Sequence, residues 1–170
     1  VWLVSGMPPF TFIKRILQPL FTALLTSSSA TTLPVSMIAA EKELGVDRAK
    51  ASFILPLGAT ANMDGTALFE GIAAIYLAYM FGIDLGSTEI ITVFLISMLS
   101  SIGAPGMPSG SMAGMQLVLL AVGIPLEAIA LLLLIERPLD TFRTAVNVEG
   151  DLAGCLVVEH FITGKEKAAA

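Results

Sequence analysis

Residues 90–126 read IITVFLISMLSSIGAPGMPSGSMAGMQLVLLAVGIPL, a run of 37 residues without Asp, Glu, Lys or Arg. About 20 apolar residues are enough for a helix to cross a bilayer, so this segment is nearly twice the required length. A cluster of Gly and Pro at residues 103–110 interrupts it near the middle. The pattern predicts two apolar helices that form a hairpin in a membrane, with a tip of small residues.

The composition of the whole chain agrees with a membrane protein. Of its 170 residues, 55% are hydrophobic and 14% are charged, whereas soluble domains carry about 25% charged residues. The net charge of −5 comes without a basic patch that would suit nucleic acid. The single Cys155 excludes an internal disulfide, and one His160 is too few for a zinc or His-based catalytic site. We expect a multi-pass protein of the plasma or inner membrane, in contact with lipid and not with nucleic acid.

The same plan occurs twice along the chain. Apolar residues 10–25 lead into the Ser/Thr-rich residues 26–32, and a later apolar segment is broken at residues 62–66. Residues 90–126 repeat the hairpin pattern, and a long helix that carries charged residues in its second half follows. Backbone polar groups cannot stay unpaired in lipid, so such breaks must be buried in protein or line a cavity. Interrupted segments in corresponding halves are typical of the binding sites of transporters.

The last predicted helix carries a polar stripe on one face. At 100° per residue, six polar residues fall within about 100°; they are Glu136, Asp140, Arg143, Thr144, Asn147 and Asp151. A charge at mid-membrane costs about 2.5–3.5 kcal/mol on insertion scales, so the stripe is expected to face a protein interior or a cavity and to be functional. The alternative is a structural ion pair of Asp140 with Arg143 at a solvated helix end.

A second polar group, Asn-Met-Asp-Gly-Thr at residues 62–66, lies between two apolar stretches. Asn, Asp and Gly are poor residues for a helix interior, so an unwound turn is expected here. Its carbonyl and side-chain oxygens would suit Na⁺ better than a transition metal. An ordinary turn between helices is the alternative, and plain loops would equally explain residues 26–32 and 103–111.

Three segments resemble the glutamate transporter family, the dicarboxylate/amino acid:cation symporters. They read SSSATTLP (27–34), LPLGATANMDGT (55–66) and DTFRTAVNVEGD (140–151). The resemblance covers about residues 10–162. It implies an all-α membrane protein in which two re-entrant helical hairpins and two interrupted transmembrane helices form an inverted repeat. The implied units, within residues 1–170 as the C-terminal part of a transport domain, are hairpin 1 (9–46), helix seven (50–82), hairpin 2 (88–123) and helix eight (125–163).

The resemblance also implies the function. Family members are homotrimers that carry out sodium-coupled symport of aspartate, glutamate or related C4-dicarboxylates by an elevator mechanism, with no enzymatic activity and no cofactor besides the coupling ion. We expect the scaffold to precede Val1. Arg143 would pair with the side-chain carboxylate of the substrate, and Asp140 would hold its amino group. The implied substrate-binding residues are Ser28, Ser29, Thr66, Met107, Asp140, Arg143, Thr144 and Asn147.

Three sodium sites are implied in the same way. The first takes the Asp151 carboxylate with carbonyls of Gly58, Asn62 and Asn147. The second takes carbonyls of Thr60, Ser101, Ile102 and Ala104, near the Met63 sulfur. The third uses Asn62 and Asp64 with residues outside this chain.

Glu70 matches a glutamate that animal members of the family use for proton and potassium coupling. We therefore expect that uptake is coupled to a proton or potassium as well as to sodium. The alternative is a Glu70 that only forms hydrogen bonds within the domain. Pro138 lies inside the predicted helix eight and is expected to kink it.

Two other classes of protein remain as alternatives. An ion-conducting membrane channel could use the same polar stripe, and saturable, sodium-dependent uptake would distinguish a transporter from it. An intramembrane enzyme is less consistent with the sequence, because no His or Lys lies near the serines at 27–29 to act as a base.

Overall fold

The structure is a computed structural model that describes the backbone of residues 1–169 and the side chains of residues 1–163. All of its regular elements are helical, and no β-strand occurs in this part of the chain. The predicted all-α class is confirmed. The elements are α1 (Trp2–Ser5), α2 (Pro9–Arg15), α3 (Leu17–Thr26), α4 (Ser29–Lys42), α5 (Arg48–Ala61), α6 (Asp64–Met80), α7 (Ser87–Ile102), α8 (Ser111–Ala121), a 3-10 helix (Leu126–Ala128), α9 (Ile129–Leu133) and α10 (Glu136–Ala169). Within the described residues, no single helix combines the length and the apolar character needed to cross a membrane.

Helices α3 and α4 pack against each other as a first hairpin. The chain turns at Ser27, which has a left-handed φ of 50°. Ser28 then caps α4, because its Oγ accepts a hydrogen bond from the N–H of Thr31 at 3.2 Å. Serine is a favoured N-cap residue for this reason, so the Ser-rich run both ends one helix and starts the next.

Helices α5 and α6 follow each other with a break of two residues. α5 ends at Ala61, Asn62 and Met63 are not helical, and α6 begins at Asp64. The break leaves the last carbonyls of α5 and the first N–H groups of α6 without partners inside their own helices. These groups therefore need partners from elsewhere in the fold.

Helices α7 and α8 form a second hairpin, and both pack on α6. The tip between them, residues 103–110, is irregular. Ser109 in this tip has a left-handed φ of 61°, the second such non-glycine residue of the described chain after Ser27.

The chain then reaches α10 through the 3-10 helix and α9. Helical structure is interrupted at Leu134 and Ile135 and restarts at Glu136. Pro138 has no N–H to bond the carbonyl of Leu134, one turn earlier, and the interruption lies at that turn. The kink of the helix axis expected from Pro138 stays a prediction. Pro138 falls in the first turn of α10, where a missing N–H costs no hydrogen bond within the helix.

Two separate apolar cores flank the middle of the structure. The first joins the N-terminal helices to the second half of α10, and includes Phe12, Leu55 and Leu152. The second joins α6, α7, α8 and α9, and includes Leu77, Met115 and Leu132. The polar stripe of α10 lies near the boundary between these cores, where the hairpin tips and the α5–α6 break also meet.

Candidate functional site

A small polar cavity lies between the two hairpin tips, the α5–α6 break and α10. Its volume is about 10 Å³, roughly the space that one water molecule needs. The tips are thus closed on each other, and a larger ligand would require one of them to move. The lining residues are Ser27, Ser29, Met63, Thr66, Pro105, Gly106, Met107, Gly110, Ser111, Asp140, Arg143, Thr144 and Asn147.

Seven of the eight predicted substrate-binding residues line this cavity, and the eighth, Ser28, lies beside it at the tip of the first hairpin. They come from three helices, α4, α6 and α10, and from the irregular tip of the second hairpin, which are distant in sequence. The cavity is therefore where a small ligand would contact all of these elements at once.

Arg143 provides the positive charge of the cavity. Its guanidinium is 5% exposed. Its Nη2 donates to Asp140 Oδ1 and, at 3.3 Å, to Glu136 Oε1. The guanidinium carbon also lies 4.6 Å from the centre of the Phe69 ring, a cation–π distance. Nη1 has no hydrogen-bond partner among the described residues.

The ion pair of Asp140 with Arg143 exists, but it is not at a solvated helix end. Both side chains are buried. Two carboxylates share one guanidinium, so the group carries an excess negative charge when all three are ionised. Burial of such a group is unfavourable unless its remaining donors and acceptors are paired.

Asn147 connects α10 to the helix break. Its Oδ1 accepts from the N–H of Gly65 at 2.8 Å and of Thr66 at 3.3 Å, and its Nδ2 donates to Thr66 Oγ1 at 3.2 Å and to Met63 Sδ at 3.3 Å. The amide thus caps the start of α6 from a different helix. It also fixes the Met63 sulfur and the Thr66 hydroxyl at the cavity wall.

The two hairpin tips are hydrogen-bonded to each other. The carbonyl of Gly106 accepts from Ser28 Oγ at 2.8 Å and from the N–H of Ala30 at 3.1 Å. A Cβ at position 106 would lie 2.9 Å from the Ala59 carbonyl oxygen. Glycine is therefore required where the tip of the second hairpin meets α5.

Three residues of the first predicted sodium site, Gly58, Asn62 and Asp151, lie on the far side of the break, and the fourth, Asn147, lines the central cavity. Asp151 Oδ1 accepts from Asn62 Nδ2 at 3.1 Å, and a Cβ at Gly58 would lie 2.5 Å from the same oxygen. Gly58, Asn62 and Asp151 line one cavity of about 300 Å³. Its carboxylate and amide oxygens are hard ligands of the kind that alkali and alkaline-earth cations prefer.

Comparison with known proteins identifies the family. Residues 1–161 match the profile of the Sodium:dicarboxylate symporter family. The chain belongs to this family. It is similar to excitatory amino acid transporter 2 of Homo sapiens (47% identity over 159 residues, 94% of this chain and 28% of the relative). It is also similar to an excitatory amino acid transporter of Caenorhabditis elegans (44% identity over 153 residues, 90% of this chain and 30% of the relative). A third relative is excitatory amino acid transporter 3 of Mus musculus (46% identity over 158 residues, 93% of this chain and 30% of the relative). The chain thus spans less than a third of the length of these relatives.

The family resemblance predicted from three segments is confirmed. The members named above are transporters, which agrees with a transport role and not with the enzyme alternative. The residues predicted for the second cation site lie in α5, in α7 and just after α7. α5, which carries Thr60, contacts α7, which carries Ser101, and the Ser101 carbonyl already accepts from the N–H of Ala104 at 3.1 Å. The Ile102 side chain is apolar and exposed, so only the backbone carbonyl of this residue could bind a cation.

Asp64, predicted for the third cation site, approaches Asn62 across Gly150. A Cβ at Gly150 would lie 2.9 Å from Asp64 Oδ2 and 3.0 Å from Asn62 Nδ2. The three groups therefore lie close together.

Glu70 lies away from the central cavity. It is fully buried and faces the second hairpin. The Ser100 hydroxyl of α7 donates to its Oε2, and the backbone of Gly114 in α8 lies directly against its Oε1. Oε1 has no hydrogen-bond partner within the described part of the chain. The carboxylate therefore touches both arms of the second hairpin.

Sequence reasoning missed several residues of the site. Glu136 was placed on the polar stripe but given no role, although its carboxylate pairs with Arg143. The sequence gives no signal of a role for Phe69, Ser100, Gly106 or Ser109. Their contacts join elements that are distant in sequence, so no local pattern could have revealed them.

Proposed function

We propose that this chain forms the substrate- and sodium-binding part of a sodium-coupled symporter for acidic amino acids. The observation that carries the proposal is the buried guanidinium of Arg143 in a cavity enclosed by both hairpin tips, with Nη1 free to donate among the described residues. Guanidinium matches a carboxylate through two parallel hydrogen bonds. A carboxylate on the substrate would replace Glu136 as a partner of Arg143.

The other polar groups favour an amino acid over a simple dicarboxylate. Asp140 supplies an anionic oxygen for a substrate amino group, and Thr144 and Asn147 supply polar atoms beside it. The start of α4, at Ser28 and Ser29, offers backbone N–H groups and the positive end of a helix dipole to a second carboxylate. Succinate and malate have no amino group to offer the Asp140 carboxylate, so aspartate or glutamate fits better.

Sodium ions would be carried with the substrate. Asp151 and the carbonyls near Gly58, Asn62 and Asn147 would bind one ion. Asn147 also holds the start of α6 and the Thr66 hydroxyl at the cavity, so this ion and the substrate would share one residue. Such sharing supports a coupling free energy between the two ligands.

The membrane arrangement follows the same proposal. The two hairpins would enter the membrane without crossing it, and helices seven and eight would cross it with interruptions at residues 62–63 and 134–135. The full-length protein would be a homotrimer whose transport domains move as elevators against a scaffold. Its location would be the plasma or inner membrane.

The test is uptake by the full-length protein in liposomes with an imposed sodium gradient. We expect saturable uptake of radiolabelled aspartate or glutamate that stops without external sodium, and weaker competition by succinate. Flux that rises linearly with substrate concentration would favour the channel alternative. Saturable uptake without any dependence on sodium would contradict the symport proposal.

A further inference from the structure

Ser109 directs two hydrogen-bond donors from the tip of the second hairpin to α10. Its N–H donates to Asp140 Oδ2 at 2.9 Å, and its Oγ donates to Glu136 Oε2 at 3.0 Å. The left-handed backbone of Ser109, with φ of 61°, allows both donors to face the same helix. Such a conformation is uncommon for a residue other than glycine.

The same two carboxylates pair with Arg143 through their other oxygens. Asp140 uses Oδ1, and Glu136 uses Oε1 at 3.3 Å. Each carboxylate therefore bridges the guanidinium on one side and the hairpin tip on the other. Ser109 is joined in this way to the charge that defines the cavity.

We propose that Ser109 is a positioning residue that holds the second hairpin closed over the cavity through its hydroxyl bond to Glu136. In the closed form Glu136 is buried, so the hydroxyl replaces water at Oε2. When the tip lifts, water can hydrate this oxygen instead. A hydrogen bond to a charged group stabilises the closed form enough to change the closed-to-open ratio by about tenfold.

Part of the proposal rests on the proposed function. A substrate carboxylate that binds Arg143 would take the place of Glu136 Oε1 without touching Oε2. Ser109 would then keep Glu136 at the tip while the guanidinium changes partner. Closure over the bound substrate would therefore depend on the Ser109 hydroxyl.

The first test measures opening of the tip without any substrate. Ser111 lies beneath the tip, is buried, and has an Oγ without a partner among the described residues. In the full-length protein, with Cys155→Ser as background, Ser111→Cys would report opening through its rate of reaction with a small thiol reagent. We expect Ser109→Ala to raise this rate about tenfold, and Ser87→Ala, an exposed serine of α7, to leave it unchanged.

A double-mutant cycle tests whether the hydroxyl acts through Glu136. Glu136→Ala leaves Arg143 paired with Asp140, so one guanidinium and one carboxylate remain in the buried group. In that background we expect Ser109→Ala to change the labelling rate less than about twofold, because the acceptor is already absent. The proposal would be overturned if Ser109→Ala alone left the labelling rate at the wild-type value. It would also be overturned if Ser109→Ala still raised the rate tenfold in the Glu136→Ala background.

The second test measures dissociation of aspartate from the full-length protein in sodium. We expect Ser109→Ala to speed dissociation about tenfold, while Ser87→Ala matches the wild type. A wild type that binds no aspartate in sodium would contradict the proposed function, and the labelling result would still decide the role of Ser109. If the wild type binds aspartate and Ser109→Ala releases it at the wild-type rate, the role of Ser109 is overturned and the proposed function stands.

Discussion

At the residue scale, the chemistry of the site depends on how Arg143 is buried. A guanidinium removed from water needs anionic partners, and Glu136 and Asp140 provide them on the same helix face. Removing the arginine would leave Glu136 without a cationic partner among the described residues and Asp140 with Arg137 at 3.8 Å. Breaking a buried pair costs about 3–5 kcal/mol. A test of substrate recognition should therefore keep the positive charge.

Arg143→Lys keeps the charge but loses the planar pair of donors that matches a carboxylate. We expect the KM for aspartate uptake to rise about tenfold or more, with a folded protein. Arg143→Thr should abolish uptake of acidic substrates. The control is Arg137→Lys, whose side chain is 65% exposed and lies 3.8 Å from Asp140. Wild-type aspartate affinity in Arg143→Lys would contradict the assignment.

Asp151 allows a similar test of cation binding. Asp151→Asn preserves size and one oxygen but removes a unit charge. A charge pair at 4 Å is worth about 4 kcal/mol at an effective dielectric constant of 20, and about a third of that is a tenfold change in affinity. We expect the sodium concentration for half-maximal uptake to rise at least about tenfold, with substrate affinity much less affected at saturating sodium.

The matched control for Asp151→Asn is Asp84→Asn, which changes an exposed carboxylate. If Asp151→Asn leaves the sodium concentration for half-maximal uptake unchanged, Asp151 has a structural role and does not bind sodium.

Residue types alone predicted the polar stripe, because a charged group in an apolar chain stands out against its surroundings. They did not predict the partners of those groups. Ser109 is indistinguishable in sequence from other small residues of a flexible tip, and its role depends on a left-handed turn and on α10, about 30 residues later. Contacts of this kind are set by tertiary structure.

At the element scale, the break between α5 and α6 is what opens the site. Asn62, Asp64 and Gly65 are weak helix formers, so the position of the break was predictable. The capping of α6 by Asn147 was not, since that side chain comes from another helix. α6 must also approach α10 closely for this bond to form.

Gly65→Ala tests that close approach. A Cβ at Gly65 would collide with the Arg143 carbonyl oxygen and lie 3.0 Å from Val146 Cβ. Overpacking of this kind costs about 1–3 kcal/mol, so we expect a lower Tm of the full-length protein in detergent and weaker aspartate binding. Gly71→Ala, in the same helix, meets only Ser97 Oγ at 3.7 Å and should be neutral or stabilising by about 0.5–1 kcal/mol. Equal effects of the two substitutions would refute the close-packing argument.

At the scale of the whole molecule, a polar site separates two apolar cores. The first core includes the second half of α10, and the second core contains the second hairpin and α6. Polar contacts link the two sides at Gly106, Ser109 and Asn147. Hydrogen bonds can be exchanged for water or ligand more readily than packed apolar surface. The tip of the second hairpin, residues 103–110, can therefore lift while α7 and α8 stay packed in the second core.

Glu70 lies within the second core, where a carboxylate is unexpected. A buried carboxylate is costly unless it is paired or neutralised, and in the described part of the chain only the Ser100 hydroxyl bonds to it. It touches α7 and α8, the two arms of the movable hairpin. A change in the charge of Glu70 would therefore change its contacts with both helices of the second hairpin.

We expect Glu70 to couple uptake to a second ion besides sodium, because neutralisation by a proton or a cation would stabilise the buried carboxylate in part of the transport cycle. The measurement is aspartate uptake into liposomes by the full-length protein, with internal potassium present or absent and with an imposed pH gradient. Wild-type uptake should respond to at least one of these gradients, and Glu70→Gln, which keeps the size and removes the charge, should respond to neither. Glu89→Gln, an exposed glutamate at the start of α7, is the control and should behave as wild type. Wild-type uptake that ignores both gradients would mean that Glu70 only forms hydrogen bonds that hold the second hairpin against α6.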